Sequence, residues 1–277
     1  MGSAVVDKLY RLTDIENIAV CVRNVQKAQE MLPEGIEIRT GDFDDIESLD
    51  FTGIDKVYII PSGAIVPGDT LRAKQFENAI DACIRDNVPY VAITSGPKAD
   101  TTSFSIAQAY KVAEKRLMES ELDYAILRSG WYLENEIASI QGVLAGNPWL
   151  TNLGDAKINW ILRDEIAEAI SHVLVSDEYH RDIFEIAGIP KTQKELVGDL
   201  SDVLDREIEF LNVDDEAYSN ALIQSGLDEE MVPGIVFMQS EIRSGVLDVS
   251  SDDFEKIVGR PPKSLKESLK VIVNQLQ

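Results

Sequence analysis

Apolar positions along the first half of the chain alternate between two rhythms. Short runs at 17–22 (NIAVCV), 36–39 (IEIR), 55–60 (DKVYII), 89–94 (PYVAIT) and 124–128 (YAILR) have the length and composition of buried strands. Between them, segments near 3–12, 25–32, 70–87 and 104–120 space their apolar residues at helical intervals. The spacing is clearest at Phe76, Ala79, Ile80, Cys83 and Ile84, which predicts one buried helix face. Strands alternating with helices across short connections build βαβ units. The expected fold is therefore α/β, with a doubly wound parallel sheet.

Beyond residue 135 the rhythm changes. Helical stretches at 136–145, 164–176, 192–204, 215–225 and 228–245 dominate, broken by GNPWLTNLGDAKINWIL and by one short strand candidate at 183–187. This predicts a smaller, mostly helical lobe with one return to the sheet. The start of the chain is unusual for an alternating pattern. MGSAVVDKLYRL goes directly into an amphipathic helix, with Val5, Val6, Leu9 and Leu12 on its apolar face and no strand before it.

With 277 residues, 44% apolar and 27% charged, the chain can bury a large core as one long domain or two intimate ones. No apolar run reaches the length of a membrane span. Asp7, Lys8 and Arg11 break the N-terminal apolar pattern, so it cannot serve as a secretory core, and a cytoplasmic location is expected. A net charge of −23 repels phosphate backbones and disfavours nucleic acid as a partner. Against that background any basic residue at a candidate anion site stands out. Cys21 and Cys83 fall in apolar segments, which predicts buried structural thiols, and the few His and Cys have no zinc-binding spacing.

In open α/β sheets ligands bind beyond the carboxyl ends of the strands, so the residues there are the candidates. The 17–22 strand runs into Arg23, which can accommodate the 2′-phosphate of NADP where an acidic residue would hold the ribose of NAD, or can be a solvated surface cation. The next ends in Gly41-Asp42-Phe43-Asp44-Asp45. Asp42 and Phe43 could hydrogen-bond and flank an adenine, while Asp44 or Asp45 could cap the following helix. Pro61-Ser62-Gly63 and Thr94-Ser95-Gly96 place small and hydroxylated residues on neighbouring strand ends, where a planar ring can approach the backbone. Tyr110 is a candidate proton donor, but the lysine expected four residues on is replaced by Glu114, which would raise a phenol pKa. Tyr110 also shares a stripe with Ile106, Ala113 and Leu117, which suits packing equally. Trp131, Tyr132 and Asn135 follow the 124–128 strand and either floor a flat apolar pocket or pack between the lobes.

Taken together, VRNVQKAQEMLPEGIEIRTGDFDD, LRSGWYLEN, the helix start at Arg163-Asp164-Glu165-Ile166-Ala167 and SDDFEKIVGRPPKSLKESL span nearly the whole chain. In that order they resemble the NmrA-like atypical short-chain dehydrogenases, and within them the NAD(P)H:quinone oxidoreductase type 2 subgroup. The resemblance implies a Rossmann-type NAD(P)-binding domain over 1–135 with a returning segment near 164–188, and a substrate-binding lobe of 136–163 and 189–277. It implies NADP(H), with NAD(H) as an alternative, and a small quinone-like substrate; a homodimer is compatible with it. By this likeness Arg23 would meet the 2′-phosphate and Asp42 and Phe43 the adenine. Pro61, Ser62, Thr94 and Ser95 would lie along the nicotinamide ribose and ring, and Trp131, Tyr132 and Asn135 around the substrate. Family members place Lys or His at the Tyr110 position. The family also begins with a strand and a Gly-x-x-Gly-x-x-Gly turn that cradles the pyrophosphate. Only Gly2, aligned with the last of those glycines, stands for that turn here. A start set too late and a truncated form are both consistent with this. The missing strand would leave both of its neighbours unpaired. Besides an enzyme, a non-catalytic NADP(H)-binding redox sensor has the same fold.

Overall fold

The computed structural model describes residues 1–61 and 70–277. The chain opens on α1 (Gly2–Leu9), which leads to β1 (Ala19–Val22), α2 (Val25–Met31) and β2 (Glu37–Thr40). It continues through β3 (Lys56–Ile59), α3 (Leu71–Arg85), β4 (Tyr90–Ser95), α4 (Gln108–Met118) and β5 (Asp123–Ser129). The α/β alternation expected from the apolar rhythm is present. Strands β3, β4 and β5 pair in parallel and in sequence order.

The second half runs β6 (Trp131–Tyr132), α5 (Ile137–Leu144), β7 (Trp149–Thr151), β8 (Lys157–Ile158), β9 (Trp160–Ile161), α6 (Arg163–Val175) and β10 (Asp182–Ile186). It ends with β11 (Lys191–Thr192), α7 (Gln193–Leu204), β12 (Phe210–Asn212), α8 (Asp215–Gln224), α9 (Val232–Arg243), α10 (Asp253–Val258) and α11 (Leu265–Leu276). The strand expected near 183–187 is β10, and it adds to the sheet beside β5 in parallel. The small strands β6 to β9, β11 and β12 fall in segments whose apolar pattern is too short to separate strand from loop. They pair two by two, β6 with β9, β8 with β11 and β7 with β12.

Among the described residues the main sheet has the order β10-β5-β4-β3, and β1 and β2 form a separate parallel pair. Among the described residues β1 and β3 do not pair with each other, so the two parallel sheets stay separate. Apolar burial proceeds on both faces of the four-stranded sheet. On one face α3 and α4 pack Phe76, Ala79, Ile80, Cys83, Ala113 and Leu117 against Val91, Ile93 and Ile126. On the other, α1, α6 and α10 pack Val5, Ile166, Ile170 and Phe254 against Ala92, Ala125 and Leu127. A third core of α5, α7 and α11 with Trp149, Trp160 and Leu133 fills the helical lobe.

Two details of the predicted faces are corrected. Ile84 is 38% exposed, because the stripe at positions 76, 79, 80 and 83 already fills the surface that α3 presents to the sheet. Leu12 is 43% exposed, because α1 stops at Leu9 and only Val5 and Val6 reach the core. Of the two cysteines, Cys83 is buried, which pushes its thiol up to about 12, whereas Cys21 on the two-stranded edge is half-buried.

Charged side chains join the elements that carry the quoted motifs. Glu165, fully buried at the start of α6, accepts from Arg260 Nη1 at 3.0 Å and from the Lys263 backbone at 2.8 Å. The arginine of the GRPP segment thus fixes α10 and α11 against α6. Thr192 and Ser264 each start a helix with a reciprocal cap to Glu195 and Glu267, so α7 and α11 are set by local sequence. No helix among the described residues is long and apolar enough to cross a membrane.

Candidate functional site

The carboxyl ends of β4, β5 and β10 converge on a buried ionic cluster. Arg128, at the end of β5 and 7% exposed, donates Nε to Glu114 Oε1 at 2.8 Å and Nη2 to Glu114 Oε2 at 2.7 Å. Its Nη1 reaches Glu185 of β10 at 3.2 Å, and Nη2 lies 3.0 Å from Asp100. Glu114 is 1% exposed, and Ser95 Oγ also donates to it at 2.6 Å. Burial alone would pull the Arg128 pKa down, but the bonds to Glu114 and Glu185 outweigh it and push it up. Burial raises the Glu185 carboxyl, opposed by the Lys98 amide and Arg128. The cluster fixes the three strand ends and the middle of α4 relative to one another.

This geometry corrects the expected relation between Tyr110 and Glu114. The carboxylate turns toward Ser95 and Arg128 and contributes nothing to the tyrosine. The partner of Tyr110 is Arg72, from the first turn of α3. Arg72 Nη1 donates to the phenol at 3.3 Å, and the guanidinium carbon lies 5.7 Å from the ring centroid. Burial raises the phenol pKa, and Arg72 acts in the opposite direction through its charge and its hydrogen bond. The Tyr110 ring also rests edge-on against Phe76, with centroids 5.9 Å apart, and packs on both neighbouring cores. It lies so close to Gly96 that a Cβ there would stand 3.2 Å from Tyr110 Cδ2. The small residue after Thr94-Ser95 thus lets the tyrosine ring sit a few tenths of an ångström closer to the strand end than a side chain there would.

Arg72 was missed in the sequence, yet a signal was present. It lies at i−4 and i−7 from Phe76 and Ala79, on the stripe that defines the buried face of α3, and it is 6% exposed. A cation on an apolar stripe needs a partner.

Two more phenols join Tyr110. Tyr58 of β3 and Thr94 of β4 share a hydrogen bond of 2.5 Å between hydroxyls. Burial raises the Tyr58 pKa, and the neighbouring phenols of Tyr132 and Tyr110 add to the shift. Tyr132 is pushed up to about 12, first by burial and then by Tyr110, against the opposing charge of Arg163, whose guanidinium sits 5.0 Å from its ring centroid. Trp131 packs with the helical-lobe core and lies 6.4 Å from Phe104 between ring centroids. Asn135 is exposed, and the structure does not bring it into this group.

Among the other candidates, Thr94 and Ser95 are buried, with their hydroxyls bonded to Tyr58 and Glu114. Pro61 stands two residues beyond the end of β3, and Ser62 lies outside the described residues. Gly2 opens α1 beside Ile60 at the same strand end, with ordinary contact distance for a Cβ. Asp42 accepts from the Asp44 amide at 3.0 Å, and the Phe43 carbonyl accepts from Asn78 of α3 at 2.7 Å. Asp45, of the two capping candidates, takes the capping role by accepting from the Glu47 amide. Arg23 is exposed directly after β1, and among the described residues no hydrogen bond or ion pair engages it. A depression lined by Asn152, Asp214, Asp215 and Arg243 lies in the helical lobe. Its arginine, Arg243, is already paired with Asp215 at 2.7 Å.

A sequence model described as NAD(P)H-binding matches residues 1–177. The chain belongs to this NAD(P)H-binding family. It is 28% identical over 277 residues to quinone oxidoreductase 2 of Escherichia coli K12, covering 99% of this chain and 96% of that protein. The crystal structure of an NADPH-dependent quinone oxidoreductase from E. coli in complex with NADPH superposes with a TM-score of 0.88 at 28% identity, covering 99% of this chain and 96% of that one. Citrobacter triphenylmethane reductase in complex with NADP(H) gives the same TM-score at 27% identity, over 98% and 96% of the two chains. The Rossmann-type fold and the resemblance to NmrA-like reductases agree with these relatives.

The residues present fit an NAD(P)H molecule at two places. Arg23 offers a solvated, uncompensated guanidinium in a strongly acidic chain, the donor chemistry that a phosphate monoester requires. At the close of β5, Ser129 keeps a buried hydroxyl without a hydrogen-bond partner among the described residues.

Proposed function

We propose that this member of the NAD(P)H-binding family is an oxidoreductase that prefers NADPH and reduces a quinone or similar electron-poor carbonyl compound. The observation that carries the reading is the group formed by Tyr110, Arg72, Tyr58 and Thr94 at the carboxyl ends of parallel strands. Likeness to a quinone oxidoreductase over nearly the full length of both chains supports it. When bound, NAD(P)H supplies a hydride. The protein binds and orients the two molecules and supplies a proton to the reduced oxygen from a phenol. In this reading Arg23 meets the 2′-phosphate, Asp42 and Phe43 hold the adenine, and Gly2 lies under the pyrophosphate. Pro61, Thr94 and Ser95 line the nicotinamide end, and Trp131 and Tyr132 line the substrate side. The division into a cofactor-binding unit of 1–135 with 164–188 and a lobe of 136–163 and 189–277, and a cytoplasmic location, are parts of the same proposal.

Oxidation of NADPH by the purified protein with a panel of benzoquinones tests the activity. Turnover that saturates in both reactants is expected. Tight NADPH binding without turnover would reject the enzyme and leave a redox sensor. Arg23→Ala is expected to weaken NADPH binding about 10- to 100-fold, the worth of a charge-assisted hydrogen bond, and to leave NADH binding nearly unchanged. Calorimetric titration with both cofactors checks it, and equal losses would remove Arg23 from the site.

A further inference from the structure

Short-chain dehydrogenases assist a tyrosine with a lysine four residues on, but this chain has Glu114 there and uses it elsewhere. We propose that Arg72 is the positioning cation of Tyr110, reaching it from a different helix and stabilising the phenolate left when the tyrosine gives up its proton. The inference rests on the oxidoreductase reading for the use of that proton, but the pairing itself is a property of this chain.

The geometry is specific. Arg72 Nη1 points at the phenol oxygen at 3.3 Å, while the rest of the guanidinium lies by the ring. Both side chains are held: Arg72 is buried in the first turn of α3, and Tyr110 is wedged between Phe76 and Gly96. Low-polarity surroundings strengthen the attraction between a guanidinium and a phenolate. The charged and titratable groups facing Tyr110 among the described residues are Arg72 from α3, Tyr58 from β3 and Tyr132 from β6. Arg163 and Glu134 stand behind Tyr132, and Glu114 on Tyr110's own helix is neutralised by Arg128. Arg72 is thus the cation in direct contact with the phenol.

The proton inventory closes. The substrate carbonyl that accepts a hydride from NAD(P)H gains two electrons and becomes an oxyanion. The Tyr110 O–H bond breaks, its proton passes to that oxygen, and the phenolate recovers a proton from water. The substrate is reduced by two electrons and the dinucleotide is oxidised by two.

The test places difluorotyrosine at position 110, whose lowered pKa can be followed by fluorine NMR while the fold persists, in the full chain without cofactor. Arg72→Met is expected to raise the pKa of that phenol by about one pH unit or more, the range for losing an opposite charge in contact. Arg72→Lys is expected to restore most of the difference. Arg72→Gln, which keeps a donor but loses the charge, replaces the methionine variant if that one does not fold. An unchanged titration in the charge-removed variant would overturn the proposal, as would a lysine variant no better than glutamine. In wild-type background, the alkaline limb of quinone reduction should move in parallel with this titration. If the titration shifts as expected while wild type oxidises no NADPH with any quinone, the oxidoreductase reading fails and the pairing stands. If turnover is present and the titration does not move, the pairing fails alone.

Discussion

Arg128→Met is expected to destabilise the protein by about 3–5 kcal/mol, the cost of removing one partner from a buried ion pair. The substitution keeps the apolar volume of the side chain but leaves Glu114, 1% exposed, without the cation that holds both of its oxygens. The same change removes the contact that holds Glu185 of β10 to β5 at 3.2 Å. Glu185 is tied in turn to α10, because its backbone amide donates to Asp253 at 2.9 Å. A single guanidinium therefore joins α4, β5, β10 and, through that amide, the C-terminal helices. Urea unfolding gives the number directly. Combining Arg128→Met with Glu114→Gln should recover much of the loss, since the orphaned charge is then gone. A loss below about 1 kcal/mol for the single variant would mean that water reaches Glu114, and the cluster would not be the clamp described here.

Gly188→Ala is expected to cost about 3 kcal/mol, at the upper end of overpacking effects, and to disturb the pairing of β6 with β9. A Cβ at position 188 would stand 1.9 Å from the Trp160 carbonyl oxygen and 3.0 Å from its carbon. Both are backbone atoms, so no rotamer change relieves the overlap. The chain at Asn159-Trp160 has to move. Trp160 is paired with Trp131 in the β6–β9 ladder, and its indole donates to Glu136 at 3.1 Å. Loss of near-ultraviolet ellipticity from these tryptophans should therefore accompany the drop in urea midpoint. Gly198→Ala is the control: position 198 is exposed within α7, and beyond the backbone of its own helix nothing lies within 4 Å of the added carbon. There alanine should stabilise by about 0.5–1 kcal/mol. Equal behaviour of the two variants would show that the Gly188 contact relaxes freely.

The elements of the first half were legible because each carries its own signal. Strands of four to seven β-branched and aromatic residues and helices with a regular apolar stripe reach about the right bounds from local pattern alone. Asn24, Thr192 and Ser264 mark helix starts by the same local chemistry. The two-residue strands of the helical lobe had no such signal. Trp131–Tyr132 and Trp160–Ile161 are strands only because each finds the other. Similarly, the segment SDDFEKIVGRPPKSLKESL folds into α10 and α11, and it is the Arg260–Glu165 contact that gives it its place.

For the proposed site, sequence by itself named the candidates: Arg23, Asp42, Thr94, Ser95, Tyr110 and Tyr132 all follow or face strand ends, because connectivity in a parallel sheet delivers its loops to one edge. It also determined that Tyr110 lacks a lysine four residues on. Tertiary structure alone decided what each side chain meets. Glu114 and Tyr110 share a helix face at i and i+4, so local geometry suggests that they interact. In the fold, the stronger attraction of a buried guanidinium takes Glu114 to Arg128, 14 residues away. Arg72, 38 residues before Tyr110, takes the place beside the phenol. Pairings at such separations depend on how α3, α4 and β5 pack, and no local spacing encodes them. The cost of burying a charge without a partner requires only that each of these arginines find one; the packing of the sheet and its helices selected which.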